Sequence, residues 1–119
     1  MVAFNNGRFA DLDAAFAPAD EFVWYSIAPP KGRVGSASRR RSTLMSYFRA
    51  RHLKREKLGI TTFRHVGTQD RDGSLVANFN GDLKRTANDL RPERRHYKGT
   101  LRCTGGSNQL IVISIGGPL

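Results

Sequence analysis

"RRHYKGTLRC" (residues 94–103) and "QLIVISI" (109–115), joined by "TGGSN" (104–108), decide how this chain is read. The two runs read as strands and the Gly-containing link as a hairpin turn. In the first run, alternation puts His96, Lys98, Thr100 and Arg102 on one face and Tyr97, Leu101 and Cys103 on the other. The second run is apolar on both faces from Leu110 to Ile115. Such a strand sits centrally in a sheet or in a subunit interface, so a homo-oligomer is among the expectations.

Further strands are expected upstream. "ITTFRHV" (60–66) and "SLVANF" (74–79) flank "GTQDRDG", where Asp72-Gly73 signals a hairpin turn. "EFVWYSIA" (21–28) reads as a strand ended by Pro29 and Pro30, and "PPKGRVGSAS" (29–38) as a loop. Helices are expected at three places. Residues 42–57 place Leu44, Met45, Tyr47 and Phe48 on one arc, with Ser42 as cap and Gly59 as stop. Residues 9–17 turn Phe9, Leu12 and Phe16 inward before Pro18. Residues 81–90 give a short helix with Leu83, Ala87 and Leu90 on one side. The expected fold is a single small α+β domain. It has an antiparallel sheet of four to five strands, one main basic helix and a split βαβ-like element order. Residues 1–20 read as an acidic and aromatic lead-in, and residues 21–119 as the domain.

The chain has 119 residues, enough for one compact domain. Lys and Arg number 20 against 10 Asp and Glu, a formal charge of +10. The charge is segregated. Residues 1–30 set Arg8 against Asp11, Asp13, Asp20 and Glu21, a net −3, and the remainder carries +13. Such a balance points to a polyanionic partner. Within 36–57, eight residues are Arg or Lys and Glu56 alone opposes them. Arginine forks suit phosphate, and a helix start adds free N–H groups. The expected nucleic-acid contacts are therefore Arg39, Arg40, Arg41, Arg49, Arg51, Lys54, Arg55 and Lys57, extended by Arg64, Lys98 and Arg102. Tyr47 is the candidate for stacking on a base.

The functional expectation is a small nucleic-acid-binding protein, with RNA favoured over DNA, acting by phosphate neutralisation. It is placed inside the cell, in cytoplasm or nucleus, or in a virus particle. One alternative is a structural assembly protein of a ribonucleoprotein or virus particle. Another is a small metal-independent ribonuclease using His65, His96 and Lys98. No catalytic residue is assigned, and enzymatic activity is the less favoured expectation. No metal or cofactor site is expected, because His52, His65 and His96 lack metal-ligand spacing and Cys103 stands alone. "PPKGRVG" lacks phosphate-loop spacing. No apolar run is long enough to span a bilayer as a helix.

Overall fold

The structure, a computed structural model, describes residues 1–18, 22, 24–28, 36–71, 73–104 and 107–119. In chain order the elements are helices α1 (Val2–Asn5) and α2 (Phe9–Ala14), strands β1 (Trp24–Ile27) and β2 (Ser36–Ser38), and helix α3 (Arg41–Leu53). Four long strands follow: β3 (Lys57–Arg71), β4 (Ser74–Ala87), β5 (Leu90–Thr104) and β6 (Ser107–Pro118). They form one mixed six-stranded sheet in the order β2-β1-β6-β5-β4-β3. β1 runs parallel to β6, and every other pairing is antiparallel. The apolar run 110–115 lies in β6, flanked by β1 and β5, as its two-sided pattern requires.

The architecture corrects the split βαβ-like order and the smaller sheet. The main error lies at residues 81–90, which are not helical: β4 runs through to Ala87. There Phe79, Gly81, Leu83 and Arg85 are buried in alternation, a period of two rather than 3.6. Helix-compatible spacing of Leu83, Ala87 and Leu90 loses to ladder bonds that β4 makes on both sides, to β3 and β5. "GTQDR" likewise continues β3 to Arg71, so the turn closes around Gly73, whose φ is +79°. Asp72, residues 19–21, 23 and 29–35 of the expected lead-in, strand and loop, and residues 105–106 of the last hairpin lie outside the described residues.

Helix α3 also differs in its bounds. It begins at Arg41, so Ser42 falls inside its first turn, and no side chain caps the start. It ends at Leu53 rather than at residue 57. Arg55 takes a left-handed conformation at φ 54°, which turns the chain and leads Glu56 inward. Gly59, expected as the stop, lies within β3.

The helices cover one face of the sheet. Leu44, Met45 and Phe48 of α3 pack with Phe4, Leu12 and Phe16 onto Tyr25, Ile27, Ile111 and Ile115. Phe48 is the hub, with ring centroids 5.2 Å from Tyr25, 5.6 Å from Phe4 and 5.9 Å from Phe16. Asn5 fixes α1 to the start of β3: its side chain donates to Leu58 O at 2.8 Å and accepts from Leu58 N at 2.9 Å. Alternation on β5 leaves Tyr97 buried and His96 and Lys98 exposed on the opposite, open face.

Candidate functional site

Where α3 ends and β3 begins, polar side chains enter the space between helix and sheet. Glu56 is 3% exposed, Arg85 5% and Arg95 0%. Burying charge is costly unless it is paired, and here it is paired in a chain. Arg51 Nε donates to Glu56 Oε2 at 3.0 Å, and Arg85 Nε donates to Glu56 Oε1. Arg85 and Arg95 both reach Glu93 Oε1. Arg51 closes the outer end with a bidentate pair to Asp89, at 2.7 and 2.8 Å. That bond raises the Arg51 pKa and holds the Asp89 carboxyl down at about 2. Three guanidinium groups thus meet three carboxylates.

Two hydroxyls stand beside this chain. Tyr25 of β1 and Tyr47 of α3 have ring centroids 5.7 Å apart. Burial pushes the Tyr25 hydroxyl well above the ordinary tyrosine range, and Tyr47 adds to the rise. Burial also raises Tyr47, against the pull of the Arg85 charge. Both hydroxyls are therefore protonated at neutral pH and serve as hydrogen-bond donors. Both oxygens of Glu56 are engaged by arginines.

Arg95 has one unmet demand. Its Nη1 donates to the carbonyls of Ala28 and Gly116 and its Nε to Glu93. Its Nη2 is buried and has no acceptor among the described residues. The carboxylates of the cluster are thus paired, and one guanidinium edge is left over.

These residues were not legible as a site. Arg85 was hidden by the helical reading of 81–90. Read as a strand, Arg85 shares a face with Leu83, and a charge on an apolar face is the signal that would have found it.

The expected Arg-rich contacts are dispersed. Arg41 is turned inward to the Asp13 carbonyl and carboxylate, Arg51 to Glu56 and Asp89, and Lys57 to the Asn5 carbonyl. Arg49 lies 5.4 Å from the Phe9 ring centroid. Arg39, Arg40, Lys54 and Arg55 are at the surface, and Arg102 donates to Gln109. Tyr47 packs against Tyr25 and Phe48. Arg64 and Lys98 come together on the open face of the sheet, where with His96 they line a cleft of about 340 Å³. The ribonuclease pair does not assemble. His65 registers with Phe79 and His96 with Asp82, positions of opposite parity on β4 and so on opposite faces.

No family model and no curated protein matches this chain. Solved structures do. A putative calcium/calmodulin-dependent protein kinase II association domain from Xanthomonas campestris matches with a TM-score of 0.65 at 17% identity, over 97% of this chain and 77% of that one. A protein of unknown function with a cystatin-like fold from Nostoc punctiforme gives 0.66 at 15%, over 97% and 80%. A putative dehydratase of the NTF2-like family from Streptomyces avermitilis gives 0.64 at 16%, over 98% and 86%. These similarities overturn the nucleic-acid reading, and with it the RNA partner, the ribonucleoprotein or virus-particle role and the ribonuclease. The folds that this chain shares are described through a dehydratase and an association domain, and Arg41 and Arg51 of the basic stretch are paired with acids of the same chain. What the similarities show is the fold, an α+β domain of the NTF2-like and cystatin-like kind.

Proposed function

We propose that this protein binds a small organic molecule on the helix-covered side of its sheet, through the Tyr25–Tyr47 hydroxyl pair and the Arg95 guanidinium. The observation that carries the reading is the buried Arg95 Nη2 with no acceptor among the described residues. A buried charged donor left unmet costs more than the roughly 1–3 kcal/mol of a neutral one. A ligand carbonyl or carboxylate oxygen would meet it.

The chemistry such a site offers is donation. Tyr25 and Tyr47 hold their protons, and Glu56 is occupied by Arg51 and Arg85. The site therefore grips and polarises an acceptor oxygen rather than abstracting a proton. The NTF2-like likeness to a putative dehydratase supports a small-molecule ligand.

The test is a thermal-shift panel of small carbonyl and carboxylic compounds, run on the wild type and on Tyr47→Phe. The hydroxyl is removed and the ring kept. At least one compound should raise the melting temperature of the wild type and do so less in the variant. A panel that shifts neither protein, or both equally, would remove Tyr47 from any site.

A further inference from the structure

The open face of the sheet carries a second polar array, independent of the buried cluster. Arg64, Asn80, Lys98, Ser114 and Ser26 are successive register partners across β3, β4, β5, β6 and β1. Registered partners project to one face with neighbouring Cα atoms roughly 4.5–5.5 Å apart. The five side chains therefore form one row across five strands. Arg64, Asn80, Lys98 and Ser114 line the cleft of about 340 Å³ together with His96. An adjoining cleft of about 370 Å³ shares Asn80, Lys98 and Ser114 and is bounded by Val66, Thr100 and Val112.

The hydrogen bonds within the row leave several of its donors unused. Arg64 Nε donates to Asn80 Oδ1 at 3.2 Å, which leaves the Asn80 amide hydrogens and both Arg64 Nη groups without an acceptor among the described residues. Ser26 Oγ donates to Ser114 Oγ at 3.0 Å, which leaves the Ser114 hydroxyl hydrogen free. The Lys98 ammonium, in the middle of the row, has no hydrogen-bond or ion-pair partner among the described residues. Asp82, registered with His96, is engaged by the His96 ring and does not line the cleft. The contrast with the buried cluster is direct: there each guanidinium has a carboxylate, and here the two cations have none.

We propose that this row is a binding site for a small organic anion. Its carboxylate or phosphate group lies between Arg64 and Lys98, and its apolar body lies over Val66 and Val112. Arg64 and Lys98 bring two cations to clefts whose lining includes no carboxylate among the described residues, and this favours an oxyanion over a neutral or cationic ligand. The combined size suits a small metabolite rather than a polymer. A second copy laid on this face about a two-fold axis would bring the Arg64–Lys98 row toward its own like charges, so an anion is the better occupant.

The test is isothermal titration of the full chain with benzoate, phenyl phosphate and inorganic phosphate, with benzyl alcohol as a neutral probe of the same shape. Variants are Lys98→Ala, Arg64→Ala and Lys54→Ala, the last an exposed lysine far from the row that lowers net charge equally. Benzoate or phenyl phosphate should bind saturably and more tightly than inorganic phosphate, and the preferred one identifies the headgroup. Benzyl alcohol should not bind. Lys98→Ala and Arg64→Ala should each weaken binding by about tenfold, the loss of one charge-assisted hydrogen bond, while Lys54→Ala leaves it unchanged. Equal losses in Lys54→Ala and Lys98→Ala would show only attraction to a +10 protein and overturn the site. So would absence of saturable binding by the wild type. The Tyr25–Tyr47 reading rests on the other face and is tested separately by Tyr47→Phe.

Discussion

Glu56 and Arg85 form an ion pair whose two side chains are only 4% and 6% exposed, and the same carboxylate is held from its other side by Arg51. Glu56→Ala removes the shared acceptor and leaves two guanidinium groups facing each other in the core. Breaking a buried pair from one side costs about 3–5 kcal/mol. A urea unfolding curve should show a loss of that order, a large part of the stability of a small domain. A loss below about 1 kcal/mol, the range of an exposed pair, would show that water reaches the cluster.

Asp89 gives the acid side of the pH profile. The Arg51 hydrogen bond lowers its pKa from 3.8 to about 2. A depressed carboxylate adds stability that is present above its unfolded pKa and lost as pH falls through the folded one. The Asp89 share should therefore disappear between pH 4 and pH 2. The side chain is 41% exposed, so solvent screening holds its worth to at most about 1 kcal/mol. Thermal melts across this window should show the wild type losing more than Asp89→Asn.

Tyr25 sets the alkaline side. Burial raises its pKa well above 10.0. The folded state keeps a proton that the unfolded chain releases, so the stabilisation is complete below pH 10 and lost as pH rises from there toward the folded value. Tyr25→Phe should flatten the stability loss above pH 10. Identical alkaline limbs in the two proteins would place the Tyr25 hydroxyl in water.

Gly81 and Gly99 are the described sheet glycines at which a side chain would find no room. A Cβ at Gly81 would overlap Thr62 O and lie 2.7 Å from the Tyr97 hydroxyl, which itself donates to Thr62 O at 2.8 Å. At Gly99 it would meet the Phe79 ring and Val112 O, each at 2.5 Å. Gly81→Ala must move backbone, and overpacking of this kind costs about 1–3 kcal/mol or more. Gly59→Ala, with nothing within 4 Å of the added atom, is the matched control and should stay within about 0.5 kcal/mol of the wild type in the same urea experiment.

The parts of the fold that were legible are those where local pattern and final environment agree. Alternation on 94–103 correctly separated buried Tyr97 from exposed His96 and Lys98. Two-sided apolarity put 109–115 inside the sheet, and the arc of Leu44, Met45 and Phe48 gave the buried face of α3. The reading failed at 81–90, where a weak helical spacing was outweighed by ladders to β3 and β5. It also failed in placing the Arg-rich stretch wholly at the surface. Arg41 and Arg51 have acid partners at Asp13, Glu56 and Asp89, and Asp13 and Asp89 lie 28 and 38 residues away.

By itself, then, the sequence determined which segments could be strands, which side of each strand is apolar, and that the chain carries a large positive charge. These follow from side-chain periodicity and composition, which are local properties. Only the tertiary structure decided where each charge is spent. Glu56, Arg85 and Arg95 share a core because β3, β4 and β5 are laid side by side behind α3. Arg64 and Lys98 share a cleft because both register with Asn80. Strand registry brings together residues that are tens of positions apart, and the energy of a charge depends on those neighbours rather than on the residues beside it in the chain.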